Sequence, residues 1–270
     1  MVTLGLDMLL NFTACGIVMS SRRLTETVQP SDVQDSDIVP SLARVPSGIA
    51  GLDELLHGGF PEISTIMISG ASGTGKTMFC TQSLFYGAAN GEKVLYITFS
   101  EPVYKVINFA SNLKFFDLRL VEEDKLRILD LGPNAEKQNA DDVVNSIIQA
   151  CQRFGPRRVG VDPVTMIGYL AKNELEIRQA TLKLGNSLAK MGVTSILCSE
   201  APLTEKGYSR FGVEEYMADA ILFLEHHAEP SEKTLQIVKL RGSTHHEGKV
   251  DYRVDENGMT VMRRFGGKRG

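Results

Sequence analysis

Residues 70–77 read GASGTGKT and match the pattern G-x-x-x-x-G-K-[ST]. Average residue frequencies give such a match by chance in about one chain of this length in a hundred. The surroundings narrow the choice further. An apolar run, ISTIMIS (63–69), precedes the loop, and a helix-like segment, MFCTQSLFYGAA (78–89), follows it. A glycine-rich turn between a strand and a helix is what a phosphate cradle requires. Gly70, Gly73 and Gly75 let the backbone turn tightly, so that successive N–H groups converge on phosphate oxygens beside a helix N-terminus. The expected nucleotide-binding stretch is therefore Gly70, Ala71, Ser72, Gly73, Thr74, Gly75, Lys76, Thr77 and Met78. Lys76 supplies the full charge for the β- and γ-phosphates, and the Thr77 hydroxyl is the expected ligand for Mg²⁺.

A metal beside a triphosphate needs a second protein oxygen, normally a carboxylate closing a neighbouring apolar strand. Asp162 in RRVGVDPVT (157–165) is the first candidate, because Pro163 cannot continue a sheet ladder and ends the strand at the acid. Gly160 interrupts that apolar run, and Asp130, closing LRILD (126–130), competes for the role. Hydrolysis also needs a group that orients or deprotonates water. The run KVLYITF (93–99) leads straight into Ser100-Glu101-Pro102, which makes Glu101 the candidate base.

From Arg44 onward, strand-length apolar runs alternate with longer helical patterns. Strands are expected near 63–69, 93–99, 126–131, 158–162, 193–199, 220–224 and 235–241. A closing hairpin, 250–254 with 259–262, is expected to turn at Glu256-Asn257-Gly258. Helices are expected near 76–89, 103–113, 140–153, 174–190 and 213–218; within the fourth, Ile177, Leu184 and Leu188 recur at helical spacing. This alternation predicts an α/β fold with a mostly parallel sheet covered on both faces, in one domain over 44–262. Residues 1–43 read as a polar, disordered leader. The apolar start, residues 1–18, is interrupted by Asp7 and Asn11 and fits neither a spanning helix nor a signal peptide, and Met19 is the expected initiator. RRFGGKRG (263–270) is a basic tail.

Charge and cysteines exclude some classes. A net charge of −4 argues against nucleic-acid binding through bulk charge. Cys15, Cys80, Cys151 and Cys198 carry no CxxC or metal spacing, and Cys80 and Cys198 read as small buried hydrophobes of a reducing, cytoplasmic protein with no membrane segment.

The motifs together resemble the KaiC-type ATPases of the RecA superfamily over essentially residues 44–262. RVPSGIAGLDELLHGGFPE (44–62), GASGTGKT, the YITFSEP strand end, RVGVDPVT, RFGVEEYMADAILFL (210–224) and VKLRGSTHHEG (238–248) follow in that family's order. The resemblance implies a RecA-like P-loop core and rings, often hexamers, with ATP held between subunits. Residues matching KLRGSTH would then reach the neighbour's nucleotide: Lys239 and Arg241 towards the γ-phosphate, with His245 near it. Two departures matter. The family commonly has two adjacent glutamates where this chain has Ser100-Glu101, which implies slow turnover if the missing one is the base. LTEKGYSRFGVEE (203–215) resembles the non-phosphorylated half of double-domain clock proteins, so a circadian role does not follow from the match.

The favoured reading is a ring ATPase that regulates a protein partner. A recombination or repair accessory is the alternative, since Lys206, Tyr208, Arg210 and the basic tail would suit single-stranded DNA. A phosphotransferase acting on a small molecule ranks third, because nothing resembles an acceptor-binding lid.

Overall fold

The computed structural model, which describes residues 43–262 except 136, 202–206 and 227–232, opens with β1 (Arg44–Val45), α1 (Leu52–Leu55) and β2 (Phe60–Pro61). Next come β3 (Thr65–Gly70), α2 (Lys76–Ala89), β4 (Val94–Thr98), α3 (Val103–Ala110), α4 (Leu118–Glu122) and β5 (Leu126–Asp130). They are followed by α5 (Gly132–Ala135), α6 (Ala140–Phe154), β6 (Arg158–Asp162), α7 (Thr165–Leu170), α8 (Glu174–Lys190) and β7 (Thr194–Glu200). Last are α9 (Glu214–Met217), β8 (Ala220–His226), β9 (Lys233–Leu240), β10 (Lys249–Asp255) and β11 (Gly258–Met262).

Among the described residues β1 pairs with β2, and the other nine strands form one sheet in the order β11-β10-β9-β8-β3-β7-β6-β4-β5. The six strands from β8 to β5 are parallel, and β9, β10 and β11 extend the sheet antiparallel. The central parallel strands β3, β7, β6 and β4 are buried on both faces, so they read as continuous apolar runs in which alternate residues serve opposite layers. Val94 and Tyr96 of β4 join the core beneath α2, with Ile66, Ile68, Ile196 and Cys198. Leu95 and Ile97 face the other way and pack with Val159, Val161 and Leu197 against α6, α7 and α8.

The long helices carry their own stop and start signals. Asn139 and Asn173 each accept the N–H of the third residue on, Asp142 and Glu176, capping α6 and α8. Ile177, Leu184 and Leu188 of α8 are buried, as their spacing predicts. Helix α3 stops at Ala110 rather than 113: the Ser111 hydroxyl and the Asn112 amide both donate to the Asn108 carbonyl and compete with the helix ladder. The helix expected at 213–218 is cut to four residues, because the chain must extend at Ala218 to enter β8.

A buried arginine ties the sheet to α2. Arg158, 1 % exposed, donates from Nε and Nη2 to the Glu92 carboxylate (2.8 and 2.7 Å), from Nη1 to the Ser83 carbonyl and hydroxyl, and from Nη2 to the Pro46 carbonyl. Removing one partner of a buried pair leaves the other charge uncompensated, so Glu92→Ala should cost about 3 kcal/mol in urea unfolding. Replacing both residues with apolar ones of similar volume should recover much of that loss. Equal losses in the single and double variants would contradict this account.

Candidate nucleotide site

The phosphate loop links the carboxyl end of β3 to the N-terminus of α2, as the motif requires. Gly75, immediately before α2, sits at φ 98°, a left-handed conformation that only glycine adopts without strain. Below the loop, the Tyr252 hydroxyl of β10 donates to the Thr74 carbonyl, and Gln82 of α2 exchanges hydrogen bonds with the backbone of Met259 in β11. The antiparallel extension thus braces the loop and its helix. The Lys76 ammonium donates to the Gly70 and Ala71 carbonyls at 2.8 and 2.9 Å. Burial lowers its pKa below the ordinary lysine value, while the nearby carboxylates of Asp162 and Glu200 pull the other way.

Asp162 and Thr77 are brought into direct contact: the Thr77 hydroxyl donates to Asp162 Oδ2 at 2.7 Å. The Tyr96 hydroxyl donates to the same oxygen at 3.2 Å, and Asp162 is 5 % exposed. Burial pushes its pKa up, opposed by the hydrogen bonds from Thr77 and Tyr96 and by the Lys76 charge. Asp130 lies elsewhere. It closes the edge strand β5, and its Oδ1 accepts the Gly132 N–H at 2.9 Å, a local turn contact.

Glu101 lies three residues past the end of β4, whose Thr98 is in register with Asp162. Its N–H donates to the Thr98 hydroxyl, and Oε2 stands 3.6 Å from the Lys105 ammonium. That oxygen is shielded from water and has no hydrogen-bond partner among the described residues.

Arg241 lies at the other end of the sheet, and Lys239 stands partway along it, its ammonium donating to the Glu215 carbonyl at 3.2 Å. Lys239 pairs with Ile221, which is level with Met67 of β3. The Arg241 side chain donates to Asp219 Oδ1 at 2.9 Å, and Asp219 Oδ2 accepts the Thr65 N–H. From Thr65 to Gly70, β3 rises about 16 Å. His245 follows in the segment that meets α1, where the His246 backbone N–H donates to the Leu55 carbonyl. The His245 Nδ1 is shielded and has no hydrogen-bond partner among the described residues. The structure therefore gathers Lys76, Thr77 and Asp162 and sets Lys239, Arg241 and His245 apart from them.

Sequence reasoning missed Tyr96 and Glu200. Glu200 closes β7 in register with Gly70, and its Oε2 accepts the Tyr169 hydroxyl at 2.6 Å. The sequence carries a signal: Asp162-Pro163 and Glu200-Ala201-Pro202 place an acid at a strand end one or two residues before a proline, and Glu101-Pro102 does so just past one. Lys206 and the tail 263–270, raised as DNA contacts, lie outside the described residues.

A parallel sheet with a phosphate loop leaving one strand and a buried aspartate closing another, bonded to the loop's threonine, defines a P-loop nucleoside-triphosphatase fold of the RecA kind. The family model described as KaiC ATPase matches residues 45–265, and the chain belongs to that family. It is 30 % identical over 253 residues to the circadian clock oscillator protein KaiC of Synechococcus elongatus, covering 90 % of this chain and 48 % of that protein. Identity to the KaiC of Thermostichus vulcanus is 32 % over 228 residues, covering 81 % and 44 %. The chain thus spans about half the length of these curated relatives. A KaiC-like protein from the hyperthermophilic archaeon Pyrococcus horikoshii superposes with a TM-score of 0.71 at 32 % identity, covering 82 % of this chain and 99 % of that one. No helix among the described residues is long and apolar enough to cross a membrane.

Proposed function

We propose that this protein binds Mg-ATP along residues 70–78 and hydrolyses it to ADP and phosphate, each site being completed by the next subunit of a homo-oligomeric ring. In this reading the ring is cytoplasmic, has six members, and regulates a protein partner according to its nucleotide state. The observation that carries the proposal is the division of the site. Lys76, Thr77 and Asp162 cluster at the carboxyl end of the parallel strands, whereas Arg241 is anchored at their amino end. A side chain cannot cross about 16 Å of its own sheet, but in a ring each subunit's far end can face its neighbour's loop.

The Thr77 hydroxyl and the Asp162 carboxylate are the hard oxygen donors that Mg²⁺ takes. Bound there, Mg²⁺ would neutralise phosphate charge. Lys76 trades its two loop carbonyls for phosphate oxygens, and the amides of the loop fix the chain of phosphates. Glu101, whose shielded Oε2 has acceptor capacity to spare, orients the attacking water and takes its proton. Lys239 and Arg241 of one subunit offer positive charge to the transition state in the next, with His245 beside them.

Glu101→Gln should keep nucleotide binding and assembly but lower turnover by a factor of about 10²–10⁴ in a phosphate-release assay. An unchanged rate would remove Glu101 from the mechanism. The whole proposal is tested by light scattering with ADP and with a non-hydrolysable ATP analogue, coupled to phosphate release. Full-rate hydrolysis by a monomer would sink it.

The DNA-binding alternative gains nothing from the loop that suggested it. The Tyr208 ring packs edge-on against Phe223 at 5.4 Å, so it is engaged within the chain and not displayed for stacking on a base.

A further inference from the structure

Glu200 has no part in the reading above, yet it stands in the middle of the site. Strand β7 runs between β3, which carries the phosphate loop, and β6, which carries Asp162. The Thr77–Asp162 hydrogen bond crosses β7 near the level of Cys198, two residues before Glu200, which is in register with Gly70. A terminal phosphate held between Lys76 and that pair would lie close to Glu200, whose carboxylate already acts on the Lys76 charge.

The surroundings of the carboxylate are only half committed. Its backbone is fixed, since the Glu200 N–H donates to the Thr165 hydroxyl at 3.0 Å. Oε2 has one firm donor, the Tyr169 hydroxyl at 2.6 Å, and Arg210 Nε stands 4.0 Å from the same oxygen, at the limit of an ion pair. That Nε is shielded from water and has no hydrogen-bond partner among the described residues. The Arg210 side chain also bonds Tyr169, but its Nε is unmet, and an unmade hydrogen bond on a shielded charged donor is costly, so the guanidinium gains by finding an anion there. Glu200 is an anion slightly out of reach, and a terminal phosphate is a stronger one with more acceptor oxygens.

We propose that Glu200 and Arg210 together recognise the terminal phosphate: Arg210 stays with Glu200 when a diphosphate is bound and turns to the phosphate when a triphosphate is bound. Glu200 is a positioning residue in this scheme, setting how readily Arg210 leaves it. The inference rests on the Mg-ATP reading and adds the residues that tell ATP from ADP. Both side chains belong to the same subunit as the phosphate loop, so recognition does not wait for a neighbour.

The test is calorimetric titration of the full chain with Mg-ADP and with a non-hydrolysable Mg-ATP analogue. Arg210→Ala should weaken the analogue about tenfold, as loss of one charged hydrogen bond predicts, and leave ADP within about twofold. Glu200→Gln keeps an acceptor for Tyr169 but drops the charge that competes for Arg210. It should strengthen the analogue several-fold relative to ADP. Opposite shifts in the two variants are a signature that misfolding or a purely structural role does not produce. Equal changes for both nucleotides, or none, overturn the inference while leaving the Mg-ATP reading intact. A wild-type chain that binds neither nucleotide removes both.

Discussion

Replacing Arg241 with alanine should lower ATP turnover by about 10³–10⁵-fold, the range for an arginine that completes a phosphoryl-transfer site. Stability should hardly change. The Arg241 side chain is 61 % exposed and its ion pair is with Asp219, and such pairs contribute about 0–1 kcal/mol. Asp219 remains anchored without it, because Thr65 and Asp219 keep their mutual backbone and side-chain bonds. Nucleotide binding at the variant's own loop should persist, since Lys76, Thr77 and Asp162 are untouched. The decisive arm is mixing. Combined with Lys76→Ala subunits, an intact loop from one variant meets an intact arginine from the other at about a quarter of the interfaces of a randomly assembled ring. Phosphate release should therefore return to about a quarter of the wild-type rate. No recovery on mixing would mean that each chain holds a complete site and that Arg241 acts elsewhere.

The path from sequence to this prediction was uneven for physical reasons. Continuous apolar runs mark the central parallel strands because both faces of β3, β4, β6 and β7 are buried, and Asn257-Gly258 marks the final hairpin. Gly160 looked like a flaw in the strand leading to Asp162. The structure gives its reason: a Cβ there would stand 2.6 Å from both Cys80 Sγ and Leu84 Cδ1, so the glycine lets α2 lie close on β6. That close approach belongs with the short reach from Thr77 to Asp162. The short helices α1, α4, α5 and α7 went unseen, since four to six residues carry too little periodicity to register. Local pattern also could not say that β3, β7, β6 and β4 lie in that order, and only the order sets Glu200 between the loop and Asp162. The resemblance named Lys239 and Arg241, whereas the register places them beyond reach of their own loop. Motif and topology thus carry separate parts of the reading, the first the chemistry of the loop and the second the distance between the loop and Arg241.

Lys76→Ala should abolish nucleotide binding in calorimetric titration and reduce phosphate release by at least about 10³-fold, at or above the usual cost of losing one preorganised donor. The ammonium is held over the loop by the Gly70 and Ala71 carbonyls, close to where phosphate charge would gather, and partial burial strengthens its attraction for that charge. Lys76→Arg should not restore the function, because a planar guanidinium fork does not fit a cradle shaped for a compact ammonium. A pH series adds an independent check. Burial lowers the Lys76 pKa from 10.5, so the protonated form that grips phosphate is lost at lower pH than for a free lysine. Affinity for the ATP analogue should accordingly fall on the alkaline side before 10.5 is reached, while the variant shows no such decline. Ligand protection gives the matching control. Mg-ATP at about 100 times its dissociation constant should stabilise the wild-type chain by about 2.7 kcal/mol and the variant not at all. A Lys76→Ala protein that still gains stability from Mg-ATP would move the phosphate grip away from this lysine, and the division of the site between subunits would have to be drawn again from there.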